Sequence, residues 1–261
     1  MIVYQCQQGT PEWFKARAGV FTASNFHLAM NLVNGLPPMQ LAFADAFLGE
    51  AAGNELIAAE IAGYRSAKTA GSKLMLDERM QAYLRGDPVG ELGEVAKDHA
   101  FKLAIERISG EPLDEGSIGW AAKRGHELEP QARMEHESQA GVLVHEMGFI
   151  CTDDRWFGCS VDGHIDPDAG AEYKCFLDPQ KLRSIHIEND QGDVRHQTNG
   201  GMFVTGWKEW HTGVFCPALA SVNRQLWLHI DKRDESVIDA MTGPLLRFVE
   251  LVNQYEHTLR N

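Results

Sequence analysis

Three residues near the middle of the chain have the types and spacing needed to hydrolyse a phosphodiester. Asp162 lies in Gly158-Cys159-Ser160-Val161-Asp162-Gly163, and Glu172 and Lys174 follow the turn-rich run Asp166-Pro167-Asp168-Ala169-Gly170. If both flanks are strands, Ser160, Asp162 and His164 share one face, and Glu172 and Lys174 share another, opposite Tyr173 and Cys175. A hairpin then sets Asp162 beside Glu172. Adjacent carboxylates repel unless a cation lies between them, and an all-oxygen donor set suits Mg2+ or Mn2+. The backbone carbonyl of Tyr173 offers a further oxygen. Lys174 beside such an ion can hold or deprotonate water and offset charge on a phosphate, which is what metal-assisted phosphodiester hydrolysis requires. The competing reading is a solvated hairpin, because short motifs of this kind recur by chance. Asp166 and Asp168 are better explained as turn residues. For His164 a solvent-facing or supporting role outweighs contact with metal or phosphate.

The elements that must position these residues can be read from periodicity. Thr10-Pro11-Glu12 starts a short helix over Glu12 to Arg17 that ends at Gly19, and Thr22-Ala23-Ser24-Asn25 supplies caps for a second helix from Phe26. From about 34 to 93 the chain is rich in Ala, Gly and Glu, with helical stretches broken by Pro37-Pro38, Gly71 and Asp87-Pro88, which reads as an inserted helical subregion. Helices follow over Glu94 to Ile108 and over Ile118 to His136, the latter capped by Ser117 and carrying Glu129. Period-two alternation then predicts three strands, Val142 to Ile150, Trp156 to Ile165 and Ala171 to Phe176, as an antiparallel meander. A helix over Val194 to Thr205, strands over Glu209 to Phe215 and Arg224 to Ile230, and a closing helix over Glu235 to Leu259 complete an α/β, or α+β, chain.

Composition narrows the class. A chain of 261 residues is expected to form a single domain, 1–261, around one sizeable core. A formal charge of −13 argues against a surface that coats itself non-specifically with nucleic acid. It argues less against a nuclease, whose site concentrates carboxylates and confines basic contacts to one channel. The five cysteines lack CxxC spacing, so neither a disulfide framework nor a zinc site is indicated. No apolar run approaches the roughly 20 residues of a membrane span, and a cytoplasmic protein of a bacterium or phage-infected host is expected.

A set of ordered motifs resembles the lambda exonuclease/YqaJ family of viral recombination nucleases, within the PD-(D/E)xK superfamily. They are Trp13-Phe14-Lys15-Ala16-Arg17-Ala18-Gly19-Val20-Phe21-Thr22-Ala23-Ser24, then Gly125-x3-Glu129-x3-Arg133, then the Asp162 and Glu172-Tyr173-Lys174-Cys175 segments, then His196-Gln197 leading to Val204-Thr205-Gly206. The resemblance covers roughly residues 8 to 30 and 95 to 230 and leaves 34–93 as an insertion. It implies a restriction-endonuclease-like core with a central mixed sheet flanked by helices. It further implies a 5′→3′ exonuclease on double-stranded DNA ends, releasing 5′-mononucleotides and leaving 3′ single strands for phage-type recombination. Glu129, Asp162 and Glu172 would then surround metal, with Lys174 at the water and Gln197 beside the site. Arg17 and Ser24 would bind the 5′-terminal phosphate, with Thr22 and Trp13 nearby. Trp13 could equally be core packing. A trimer and a single-strand annealing partner are implied by the resemblance alone. Two departures are Phe176, where the family often has proline, and Asn199, where a second glutamine is frequent. Neither Lys181 nor Arg183 aligns securely with a further phosphate ligand. RecB-like or resolvase-type endonucleases and a non-catalytic recombination scaffold are the alternatives. The cysteine pattern speaks against the iron–sulfur form of the first, and the intact Asp162, Glu172 and Lys174 speak against the last.

Overall fold

The structure is a computed structural model that describes residues 1–113 and 119–261. The expected start of the Glu129 helix at Ile118, with Ser117 as its cap, lies outside the described residues. The chain divides into two compact units, one of Met1–Met30 with Val95–Asn261 and the other of Asn31–Glu94.

The larger unit opens with β1 (Ile2–Tyr4), α1 (Pro11–Arg17), β2 (Phe21–Thr22) and the short α2 (His27–Met30). Helix α1 starts where its chemistry predicts: the Thr10 side chain accepts the Trp13 N–H and Pro11 holds the first helical position, where a missing N–H costs nothing. The smaller unit follows, with β3 (Leu32–Val33), α3 (Pro38–Leu48), α4 (Glu55–Ile61), α5 (Ala67–Met75), α6 (Glu78–Leu84) and β4 (Glu91–Leu92). Asn54 and Asp77 cap α4 and α6 through their carboxyl or amide oxygens. Phe43 and Met80 are fully buried among Ala44, Ala58 and Ala59, so this unit has an apolar centre of its own.

The larger unit resumes with α7 (Glu94–Ser109), α8 (Trp120–Ala140), β5 (Phe149–Cys151), β6 (Phe157–Ser160), β7 (Gly163–Ile165), β8 (Ala169–Lys174), α9 (Pro179–His186), α10 (Gly192–Thr205), β9 (Glu209–Phe215), β10 (Leu226–Lys232) and α11 (Glu235–Arg260). Two four-stranded sheets run in the orders β1-β5-β6-β2 and β10-β9-β8-β7. Both are mixed: β2 is parallel to β6 and β8 to β9, while the remaining pairs are antiparallel. The parallel β8–β9 pair needs a long crossover, which α9 and α10 supply.

The strand expected over Trp156 to Ile165 is in fact two strands in two sheets. At the break Val161 N–H donates to Gly148 in one sheet and Asp162 N–H donates to Ala171 in the other, both at 3.2 Å. Side-chain alternation does not register such a bend, because the buried Val161 and Ile165 keep their spacing across it. Likewise only Phe149–Cys151 of the expected Val142 to Ile150 strand is regular. Helix α8 packs Ala132 against Ala171 and Tyr173 on one face of β8. Helix α10 packs against β8 and β9, where Trp210 of β9 fills the space beside it. A Cβ at Gly201 of α10 or at Gly170 of β8 would stand 2.2 or 2.6 Å from that indole. Glycine at both positions lets the helix descend close to the sheet.

Candidate active site

The register of β7 on β8 pairs Gly163 with Ala171 and His164 with Gly170. Continued by one step, it sets Asp162 opposite Glu172. Because the strand bends there, the Asp162 side chain takes over: Oδ2 accepts the Tyr173 N–H at 2.7 Å. Its other oxygen, Oδ1, accepts the Gln8 amide at 3.0 Å. Glu172 Oε1 accepts Lys174 Nζ at 2.5 Å, and the same ammonium donates to Gln197 Oε1 at 3.1 Å. Glu172 is buried, and its second oxygen, Oε2, has no hydrogen-bond partner among the described residues.

Burial and mutual repulsion dominate the electrostatics. Burial, then the Glu129 charge, pushes Asp162 up to about 6. Burial, then the Asp162 charge, pushes Glu172 up to about 7, and the Lys174 ammonium offsets only part of this. Burial alone would depress Lys174, yet the Glu172 and Asp162 charges outweigh it and hold the ammonium above its ordinary value. On α8, burial raises Glu129 against the opposing pull of Arg133, which donates to it at 2.8 Å and also pairs with Glu146. A cavity of about 560 Å³ is lined by Gln7, Gln8, His126, Glu129, Arg133 and Asp162, among others.

These groups fit a hard divalent cation. The donor set is oxygen, the buried Glu172 carboxylate lies in register with the half-buried Asp162, and one Glu172 oxygen has no partner among the described residues. Among the described residues no three His, Cys, Asp or Glu side chains are drawn together as a closed cage. Each proposed ligand instead turns to a partner of its own: Asp162 to the Tyr173 amide, Glu129 to Arg133 and Glu172 to Lys174.

The residues expected at a terminal phosphate separate into two groups. Arg17 donates to Ser160 Oγ at 2.7 Å and lies 4.1 Å over the Trp13 ring, whose Nε1 donates to the same hydroxyl at 3.0 Å. Both side chains thus clasp the strand that leads into Asp162. Burial lowers Arg17 to about 10 against the charge of Glu106. Arg17 and Thr22 line a second cavity, of about 240 Å³, with His99, Lys102 and Glu106. Ser24 is not among its lining residues and caps no α-helix. It is the exposed middle residue of a 3-10 turn over Ala23–Asn25, 3.2 Å from the Thr22 hydroxyl, with Thr22 in the N-cap position. The same residue types favour 3-10 turns and helix caps, which explains why Ser24 reads as a cap although the helix itself starts at His27, one residue from where it is expected. Gln8 and Ser160 enter through contacts spanning over a hundred residues, for which no local signal exists.

Residues 92–208 match the model of the YqaJ-like viral recombinase domain. Glu129, Asp162, Glu172, Lys174 and Gln197 lie inside the matched segment, whereas Gln8, Trp13, Arg17, Thr22 and Ser24 precede it. No curated protein sequence matches the chain. Two solved structures are similar over nearly its full length: an alkaline exonuclease, LHK-Exo, from Laribacter hongkongensis (21% identity, TM-score 0.63), and LHK-Exo in complex with dAMP (20% identity, TM-score 0.63). Each alignment covers 96% of this chain and 97% of the other. The fold is therefore that of the alkaline exonuclease, a mixed α/β core flanked by helices.

Proposed function

We propose that the protein is a metal-dependent deoxyribonuclease that degrades double-stranded DNA 5′→3′ from its ends, releasing 5′-mononucleotides. The observation that carries this reading is the buried Glu172 carboxylate, with one oxygen orphaned and the other on Lys174, in register with Asp162. Asp162, Glu172, the Tyr173 carbonyl and Glu129 would hold Mg2+ or Mn2+, which when bound acidifies water and offsets phosphate charge. Lys174, raised and steadied by Gln197, places a permanent positive charge where the scissile phosphate must lie and orients the attacking water. Arg17, stacked on Trp13, and Thr22 supply the terminal-phosphate end of the channel, with Ser24 at its margin; this placement supports 5′→3′ polarity. Homotrimer formation, a single-strand annealing partner and a cytoplasmic location belong to the same reading. No helix among the described residues is long and apolar enough to cross a membrane.

The deciding experiment compares linear duplexes bearing 5′-phosphate or 5′-hydroxyl ends, and a covalently closed circle, with Mg2+ or EDTA. The expected outcome is mononucleotide release from phosphorylated linear DNA in Mg2+ alone. Cutting of the circle would replace this reading with an endonuclease, and equal rates on both ends would remove the role of Arg17.

A further inference from the structure

Behind β8 lies a buried chain of polar groups that the proposed chemistry does not use. The Tyr173 hydroxyl is 2.8 Å from His136 Nδ1, and His136 Nε2 is 2.8 Å from His211 Nδ1. His136 is fully buried, and Tyr173 and His211 nearly so. His211 Nε2 lies 4.0 Å from Glu209 Oε2. That carboxylate favours a proton on Nε2 of His211, leaving Nδ1 to accept from His136, whose own Nδ1 then accepts the Tyr173 O–H. The bonding is directional and complete with both rings neutral. Burial holds His136 at about 4 and lowers His211 in the same sense.

The chain joins three elements, α8 through His136, β8 through Tyr173 and β9 through His211. His136 is seven residues, about two turns, beyond Glu129 and hence on nearly the same side of α8. Tyr173 stands between Glu172 and Lys174. Its ring lies over Gly213, where a Cβ would come within 2.9 Å. Along α8, Leu128 and Ala132 pack among Val144 and Ala171, Arg124 donates to the Cys175 carbonyl at 3.2 Å and Glu137 accepts the Val144 N–H at 2.9 Å; among the described residues the buried chain is the directional contact that ties the helix to both β8 and β9. We infer that Tyr173, His136 and His211 are positioning residues that set where α8 lies along β8, and so fix Glu129 relative to Asp162 and Glu172. The inference rests on the proposed metal site but concerns side chains that would touch neither metal nor DNA.

Tyr173→Phe removes one hydroxyl and no packing volume. It should weaken Mg2+ binding, read calorimetrically without DNA, by roughly 10-fold and lower kcat by a similar factor, with KM for DNA ends within about twofold. His136→Leu should do the same, and the double variant should be no worse than the worse single one. His136→Gln, which keeps a donor and an acceptor, should recover most of the Mg2+ affinity. Wild-type Mg2+ affinity and kcat in Tyr173→Phe, with only the melting temperature lowered, would reduce the chain to core packing and overturn the inference. Additive losses in the double variant would also overturn it. A wild type that cuts DNA without binding Mg2+ would instead sink the metal-site reading, and with it the purpose assigned to the chain.

Discussion

One face of β8 presents the half-buried Lys174 and the buried Glu172, ionisable and with one Glu172 oxygen unpaired among the described residues; the other presents Tyr173, whose hydroxyl begins a run of neutral rings bonded end to end. Burial acts on both. On the first face it drives carboxylates upward and leaves Glu172 Oε2 unbonded. On the second it drives imidazoles downward, and their hydrogen bonds are satisfied only in the neutral form. A single strand therefore carries one face that remains unfavourable until something from outside binds and one that is complete when folded. The difference separates the part of the molecule that would act from the part that would hold it still.

Removing a carboxylate from the ionisable face should have the largest effect. Asp162→Asn and Glu172→Gln should each lower single-turnover cleavage by roughly 10³-fold while circular dichroism remains native. Near-normal cleavage by Asp162→Asn at saturating Mg2+ would dismiss it as a ligand. Lys174→Ala should follow with a loss of roughly 10²-fold in turnover and little change in DNA affinity; reduced affinity with intact turnover would assign it to duplex binding instead. Arg17→Ala, on the clasp of Ser160, should lose roughly tenfold of the preference for phosphorylated ends, the worth of one charge-assisted contact. Competition between labelled duplexes reads it, and an unchanged ratio would move the phosphate contact elsewhere.

The pH dependence of stability in EDTA sharpens the same contrast. Asp162 and Glu172 are raised to about 6 and 7 from 3.8 and 4.5, so folding takes up protons at these groups and stability rises as pH falls through 7. His99 and His136 are depressed to about 4 from 6.5, so the folded state resists their protonation and stability is lost as pH falls from 6.5 through 4. In urea melts the carboxylate gain, on the order of 1 kcal/mol from pH 8 to 6.5, should be largely offset by the imidazole loss, so stability in EDTA should change little between pH 8 and about 4.5 and fall below that. Saturating Mg2+ should suppress the carboxylate gain and leave stability falling as pH drops below about 7. A steady loss from pH 8 downward in EDTA would contradict the raised carboxylates. The smallest effect is expected from replacing residues 31–94 by a short Gly/Ser bridge: Mg2+ affinity should be unchanged, because this unit holds none of the proposed ligands.

The juxtaposition of Asp162, Glu172 and Lys174 is legible in the sequence because strand alternation and a turn are local rules, and the boundaries of α7, α10 and α11 follow from caps and periodicity. The bend at Val161–Asp162 is not, since the same alternation fits a continuous strand and a broken one. Gln8 could not be found, because its bond to Asp162 spans 154 residues. His136 lies between Glu135 and Glu137 and His211 between Trp210 and Thr212, and neither setting marks a site. What brings them together is the packing of α8 across the parallel β8–β9 pair, a tertiary contact that no single element's sequence encodes.

The Lys174 ammonium rests on Glu172 Oε1 and Gln197 Oε1. A cation arriving at the open Glu172 Oε2 therefore shares a carboxylate whose other oxygen already holds an ion pair, and its net affinity is reduced by the weakening of that pair. A phosphate gives the displaced ammonium a new counter-charge. Metal and DNA ends should then show heterotropic cooperativity, each tightening the other by one shared factor. Titrating Mg2+ with and without a 5′-phosphorylated duplex, and the duplex with and without a non-catalytic divalent ion, should return that factor twice.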